Sequence, residues 1–322
     1  MINNRIEIVT SAQNPKIKNL LLLQEKSKAR REQGLFVVEG RRELEHCLAA
    51  GYRVRTLFVC PVIAGSVDAF ADAFVAGPAT TCRRYENVPG TCDANMDSVA
   101  SSVAGHEEKI APATKGWGTC DAAGMTHVII EVPETLYRKI AYRDSTEGVI
   151  AEVETKDRRL EELQLSENPL IVVLEAVEKP GNLGAVLRSA DAAGADAVIV
   201  CDPLTDLYNP NLIRASIGAI FTVPTVAAPS EEVIPWLKAH GIRILTAQLQ
   251  DSEWYYDTPM TGPTALVMGT ESTGLTDQWR VAADAHIRIP MLGRLDSLNV
   301  SVSAAILLFE AVRQRQALSS RA

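Results

Sequence analysis

From residue 168 onward the chain alternates short, largely apolar runs with longer amphipathic stretches, and few folds accommodate that alternation. Leu170 to Leu174, Ala197 to Val200, Arg243 to Thr246, Thr264 to Met268 and His286 to Ile289 are too short for helices and rich in Val, Ile and Leu. Thr222 to Val226 reads as a further extended segment. Helical patterns cover Ala185 to Ala193, Leu212 to Ile220, Ser230 to His240 and Ser301 to Ala317. Strands apolar on both faces and separated by helices make a parallel sheet covered on both sides. The loops leaving such strands gather at one edge of the sheet, where ligands bind.

Three short blocks sit at those strand exits. The first is Lys179-Pro180-Gly181-Asn182-Leu183-Gly184, followed by Arg188. The second is Gly269-Thr270-Glu271-Ser272-Thr273-Gly274-Leu275. The third begins Ile289-Pro290-Met291-Leu292-Gly293 and continues to Ser297-Leu298-Asn299-Val300-Ser301. Polar side chains spread over more than a hundred residues are thereby expected to meet in one site. Taken alone, the first block invites a dinucleotide-binding reading, because it follows a strand, opens a helix and has Asp202 near the end of the next strand. It is G-x-x-G and lacks the third glycine of G-x-G-x-x-G, and that reading leaves the other two blocks unexplained.

The first 165 residues are of another kind. Pro15 to Arg31 reads as one helix, capped by Ser11 or Asn14, with Pro15 in its first turn and Gly34 as its stop. Lys16, Lys18, Lys26, Lys28, Arg30 and Arg31 give it a basic face and tail. Leu35 to Val38 and Val54 to Val59 read as strands about a helix from Arg42 to Ala49, hence a small α/β unit. Strand patterns return at His127 to Ile130 and Gly148 to Ala151. Residues 61–126, rich in Ala, Gly, Thr, Ser and Asp, read as an insertion or a loosely structured extension of the first domain. The charged run Lys156 to Leu165 and the breaker Asn168-Pro169 put the boundary near residue 165, so we expect domains at 1–165 and 166–322.

Charge follows the same division. Residues 1–60 hold 11 Lys and Arg against 6 Asp and Glu, and the remainder holds 21 against 34. A basic N-terminal segment on an acidic body suits local contact with phosphates and disfavours indiscriminate binding. The N-terminus lacks the apolar core of a signal peptide, and no apolar run reaches the roughly 20 residues of a membrane span. A cytoplasmic protein is expected. Cys82, Cys92 and Cys120 share one region, yet no C-x-x-C or H-x-x-x-H pair accompanies them, and no metal site is expected.

Together the three blocks resemble the SpoU (TrmH-type) branch of the SPOUT RNA methyltransferases over residues 168–316. The resemblance rests on the N-x-x-x-x-x-R spacing of Asn182 and Arg188, Ser216-Ile217-Gly218-Ala219, G-x-E-x-x-G at Gly269 to Gly274, and I-P-M…S-L-N-V-S at Ile289 to Ser301. Residues 5–60 are similar to that family's N-terminal substrate-binding domain, through Ser11-x-x-Asn14-Pro15 and Phe36-x-x-Glu39-Gly40-x-Arg42. The resemblance implies a C-terminal parallel-sheet domain with a deep trefoil knot, an exception to the usual rules of chain topology. It also implies S-adenosylmethionine as cofactor, a homodimer packed partly through the last helix, and methylation of a ribose 2′-hydroxyl in structured RNA. Ribosomal RNA is the first expectation and transfer RNA the alternative. A non-catalytic RNA-binding protein of the same fold is the competing function.

The roles follow residue by residue. A ribose hydroxyl is a poor nucleophile that must lie in line with the sulfonium methyl, so positioning supplies much of the rate. Arg188 is expected beside the hydroxyl, as an electrostatic stabiliser in preference to a base, because a guanidinium is a poor base. Asn182 offers two amide donors and an acceptor to hold the ribose or orient Arg188. Glu271 is expected to anchor Arg188 or Asn299. Ser297 and Asn299 complete the catalytic set, and helix capping is a second job open to them. Gly269, Ile289 and Leu298, with Thr246, are assigned to the cofactor, and Lys16, Lys18, Arg30, Arg31 and Arg41 to RNA. Thr270 and Ser272 replace the commoner Asn and Gly of the second block, and a Ser is costly where a glycine uses positive φ.

Overall fold

The computed structural model describes residues 5–65, 128–142, 147–270 and 273–319. Most of the insertion expected at 61–126, with Cys82, Cys92 and Cys120, therefore lies outside the described residues, as do Glu271 and Ser272.

Two sheets carry the chain. The first has strands β1 (Arg5–Ile8), β2 (Leu35–Glu39), β3 (Val54–Val59), β4 (Val128–Glu131) and β5 (Val149–Glu154) in the order β1-β4-β3-β5-β2. β1, β4 and β3 run parallel, whereas β5 is antiparallel to both β3 and β2. Helices α1 (Pro15–Glu25) and α2 (Ser27–Gln33) precede β2, α3 (Arg41–Ala49) follows it, α4 (Pro61–Ala64) follows β3, and α5 (Glu134–Ile140) follows β4.

The second sheet is parallel throughout. Its strands are β6 (Leu170–Glu175), β7 (Ala197–Cys201), β8 (Thr225–Ala228), β9 (Arg243–Ala247), β10 (Glu253–Trp254), β11 (Thr264–Met268) and β12 (Ala285–Arg288), in the order β10-β12-β9-β11-β6-β7-β8. Helices α6 (Pro180–Ala192), α7 (Pro210–Ser216), α8 (Ala219–Thr222), α9 (Ser230–Ala239), α10 (Asp277–Ala282) and α11 (Val300–Ser319) flank it. The expectation of a parallel sheet buried on both faces holds: β6, β7 and β11 are buried at every position.

Alternate residues of β6 and β7 divide between two cores. Ile171, Val173, Ile199 and Cys201 face a layer closed by Val233, Leu237 and Trp279. Val172, Leu174, Val198 and Val200 face a larger one that continues through Leu183, Leu187, Leu212, Phe221 and Leu308 into Phe36, Leu57 and Val153 of the first sheet. The two sheets therefore share one apolar core. A third cluster, with Ile17, Leu20, Phe58, Ile130 and Tyr137, backs the first sheet.

Three local readings need correcting. The helix expected over Pro15 to Arg31 is two helices, broken at Lys26, whose backbone is extended (φ −109°, ψ 111°). Arg30 turns back over the break and donates from Nη1 to the carbonyls of Leu23 at 2.6 Å and Gln24 at 3.1 Å, so it caps α1 in place of the next turn. The first block is not a loop: Pro180 opens α6, and Asn182 and Gly184 lie within that helix. The helix expected over Leu212 to Ile220 breaks at Ile217 and Gly218, both left-handed, which moves the following strand to Thr225–Ala228. A Cβ on Gly218 would sit 2.9 Å from His46 Cδ2, so this segment gives α3 close access.

Candidate active site

The exits of β6, β9, β11 and β12 lie level, because Met268 pairs with Leu174, Val267 with Thr246 and Ile287 with Ala247. Beyond that edge opens a cavity of about 360 Å³, within the range of small-molecule sites. Met268, Leu275, Ile287, Ile289, Leu298 and Val300 supply its apolar wall. Gln248, Thr270, Arg280, Arg288, Asp296 and Ser297 supply polar groups. A smaller cavity of about 120 Å³ shares Gly269, Thr270 and Val300 with it and reaches Lys179 and Asn182.

Three features build this edge. Thr270 and Gly274 exchange backbone hydrogen bonds at 3.2 and 3.1 Å, pinching the second block into a closed loop with Gly274 at φ 69°. A Cβ on Gly269 would lie 2.2 Å from the Gly274 carbonyl, so only glycine fits under the pinch. Glu175, buried at the exit of β6, accepts from Thr276 N at 2.8 Å and Thr276 Oγ1 at 2.6 Å, fixing where the loop enters α10. Asn299 then joins the third block to the first. Its Oδ1 accepts from Ser301 N at 3.0 Å, its carbonyl takes the first bonds of α11, and its Nδ2 donates to Asn182 Oδ1 at 3.1 Å. One residue caps the helix and braces the site, as the two roles open to it allow.

Gly269, Ile289, Ser297 and Leu298 line the larger cavity, and Asn182 and Asn299 meet beside it. Ser297 Oγ donates to Asp296 Oδ1 at 3.3 Å. Thr246 does not reach the cavity: its side chain is fully buried, with Oγ1 2.6 Å from His286 Nδ1. Arg188 is exposed on α6 and lines neither cavity. Six residues of helix separate it from Asn182, which turns the two about 120° apart around the helix axis.

The basic residues assigned to RNA also separate. Lys18 and Arg31 are exposed. Lys16 pairs with Glu7 at 2.5 Å. Arg41 donates from its guanidinium to the Ala64 carbonyl and from its backbone to Glu147 at 2.5 Å. Arg30 is a correction. It is 3% exposed and pairs through Nε with Asp206 at 2.6 Å, so it ties α2 to the loop after β7 and offers nothing to a ligand.

Sequence reading missed Gln248, Arg280 and Arg288. Gln248 Oε1, Arg280 Nε and Arg288 Nε are buried without a hydrogen-bond partner among the described residues, and all three residues line the cavity. Gln248 follows directly on β9 and Arg288 ends β12, so position at the sheet edge was the signal that could have found them. An apolar slot ringed by unsatisfied donors and an acceptor fits a ligand with both an aromatic ring and a polar, carboxylate-bearing tail. S-adenosylmethionine is such a ligand. Cys201, at the exit of β7, is no nucleophile, because burial pushes its thiol up to about 12. Among the described residues no group of three His, Cys, Asp or Glu side chains converges as metal ligands.

Two family descriptions match the chain: the SpoU rRNA Methylase family over residues 169–309 and the MRM3-like substrate binding domain over residues 14–81. A 23S rRNA (uridine(2479)-2′-O)-methyltransferase of Streptomyces viridochromogenes is 35% identical over 197 residues, 59% of this chain and 68% of that protein. The 23S rRNA (guanosine-2′-O-)-methyltransferase RlmB of Pseudomonas putida is 38% identical over 177 residues, 53% of this chain and 71% of its own. Among solved structures, an RNA 2′-O ribose methyltransferase superposes with a TM-score of 0.70 at 36% identity, covering 96% of this chain and 99% of that one. An AdoMet-bound rRNA methyltransferase from Sinorhizobium meliloti gives a TM-score of 0.73 at 28% identity, covering 96% and 98%. With its three blocks converging on one sheet edge and these relatives matched along most of their length, the chain belongs to the SpoU rRNA methylase family.

Proposed function

We propose that this protein methylates a ribose 2′-hydroxyl of ribosomal RNA, with S-adenosylmethionine as donor. The carrying observation is the hydrogen bond from Asn299 to Asn182, which closes the first and third blocks over a cavity whose floor is the second. The cofactor supplies an electrophilic methyl group on a sulfonium. Met268, Leu275, Ile287, Ile289 and Leu298 would enclose its apolar part, and Gln248, Arg280 and Arg288 would take its polar tail.

The chain's own work is then positioning and charge. Asn299 holds the Asn182 carbonyl oxygen and so fixes the orientation of that amide beside the cavity, where it positions the ribose. Arg188 stabilises the negative charge that grows on that oxygen. Glu271, in the second block, braces this set, and Ser297 lines its entrance. Residues 1–165 form the RNA substrate-binding domain and 166–322 the methyltransferase domain.

A homodimer is part of the proposal. Val302 and Phe309 leave an apolar flank of α11 exposed at 47% and 49%, and α6 packs alongside that helix. A second copy on this flank gives Arg188 a route to a cavity that it does not reach within its own chain. A trefoil knot is also proposed, supported by the non-consecutive strand order β12-β9-β11-β6. A ribosomal substrate supports a cytoplasmic site of action. No helix among the described residues is long and apolar enough to cross a membrane.

Two measurements test the function: calorimetric titration with S-adenosylmethionine, and mapping of 2′-O-methylation in ribosomal RNA from cells with and without the protein. Binding together with loss of one or more methylated riboses is expected. A folded protein that binds no S-adenosylmethionine sinks the proposal.

A further inference from the structure

Between the two sheets lies another cavity, of about 320 Å³, that methyl transfer does not use. Thr225 and Ala227 of β8, the edge strand, form one side, and Tyr52 forms another. Its rim is the segment Lys156 to Arg159, which leads from the first sheet to the second.

That segment is held in place. Tyr208 Oη accepts from Lys156 N at 2.8 Å and donates to Lys156 O at 2.6 Å, while its ring stacks on Phe36 with centroids 4.4 Å apart. Lys156 Nζ donates to the Ala50 carbonyl at 2.9 Å and lies 4.5 Å from the centroid of the Tyr52 ring. The consequence is a concentration of positive charge. Lys156, Arg158 and Arg159 all line the cavity, and Asp157 is the one acidic residue among the described residues around it. The Lys156 ammonium is held below the usual lysine range, first by burial, then by the nearby charges of Arg158 and Arg53. On an open surface such side chains diverge into water. Here a packed aromatic cluster holds Lys156, and Arg158, on the same rim, is half-buried with neither an ion pair nor a hydrogen bond to its side chain among the described residues.

We propose that this cavity binds a phosphodiester of the substrate RNA, a short distance along the strand from the ribose that is methylated; the proposal rests on the reading of the chain as an RNA methyltransferase. A guanidinium beside an ammonium suits a phosphate, one as a planar fork and the other as a point charge. The placement suits a single strand. β8 lies three strands from β11 in the order β11-β6-β7-β8, a lateral offset of roughly 14 Å at ordinary strand spacing, so the phosphate held here and the target ribose are separate nucleotides of one strand. Contacts to phosphate fix register and orientation without reading bases. This site therefore sets how far along the strand the target ribose lies, and base identity is read elsewhere.

The test uses the full chain and a fluorescent single-stranded RNA taken from the methylated region, with binding followed by anisotropy across a salt series. Arg158→Glu is expected to weaken RNA binding roughly tenfold or more and to lower the salt slope by about one. Its affinity for S-adenosylmethionine and its melting temperature stay at parental values, and Arg158→Lys recovers most of the RNA affinity. An Arg158→Glu protein that binds RNA within about twofold of the parent, with the same salt slope, overturns the site alone. Inorganic phosphate or AMP bound at this cavity without competition from RNA overturns it as well. A parent protein that binds S-adenosylmethionine but no RNA overturns the methyltransferase reading and this site with it.

Discussion

Asn182 and Asn299 stand 117 residues apart in the chain and meet at 3.1 Å. Lys16, Lys18, Arg30 and Arg31 lie within sixteen residues and serve different ends: one pairs with Glu7, two face water, and Arg30 is buried against Asp206. The distant set converges and the near set scatters. The difference lies in what fixes direction. Strand ends and glycines leave the chain few paths at the sheet edge, so residue identity there implies geometry. A basic helix face implies geometry only while the helix is continuous, and the break at Lys26 rotates its second half.

The most severe way to break this comparison is at the converging set. Arg188→Ala and Asn182→Ala are each expected to lower methyl transfer by about a hundredfold or more, with S-adenosylmethionine binding retained for Arg188→Ala. Mixing the two inactive proteins sharpens the point. If Arg188 acts on the cavity of a second subunit, half of the randomly mixed dimers hold one complete site, and roughly a quarter of parental activity returns. No recovery in a freely exchanging mixture places Arg188 at its own chain's cavity or outside the site altogether.

Gly269→Ala comes next. The added Cβ meets the Gly274 carbonyl at 2.2 Å, so the pinched loop must open, and affinity for S-adenosylmethionine should fall roughly tenfold, about 1.4 kcal/mol. Gly181→Ala is the matched control, since nothing lies within 4 Å of its Cβ and binding should hold. Equal effects at the two glycines, read by calorimetry, would show that the pinch is not what shapes the cavity.

The smallest functional effect and a clear stability effect belong to the scattering set. Arg30→Ala leaves Asp206 and the ends of α1 without their donor, and should cost roughly 3–5 kcal/mol in denaturant unfolding. Lys18→Ala, at an exposed position, should stay within about 0.5 kcal/mol of the parent. A stable Arg30→Ala protein with weakened RNA binding would return Arg30 to the surface role its neighbours suggested.

The parallel sheet was legible because Leu170 to Leu174 and Thr264 to Met268 are apolar at nearly every position, a pattern that only a doubly covered strand needs. Gly269, Ile289 and Leu298 were legible as cavity residues because they flank strand exits. Arg188 and Asn182 were legible as a pair by spacing, yet six helical residues do not put two side chains on one face. That Asn182 lies in the same helix as Arg188 was hidden by the glycines, for Gly184 marks close packing, with its Cβ position 2.6 Å from Ala215, and no phosphate loop. Arg280 and Arg288 look like ordinary surface charges in the sequence. Only the fold, by turning β12 in beside β9, buries their Nε groups at a ligand site.

The bond between Asn299 and Asn182 also has a meaning in time. Everything the first block contributes is synthesised early, but its brace arrives with the segment that opens the final helix. A chain folded only through α6 lacks that brace. The cavity is complete only once the segment that opens α11 has docked beside α6.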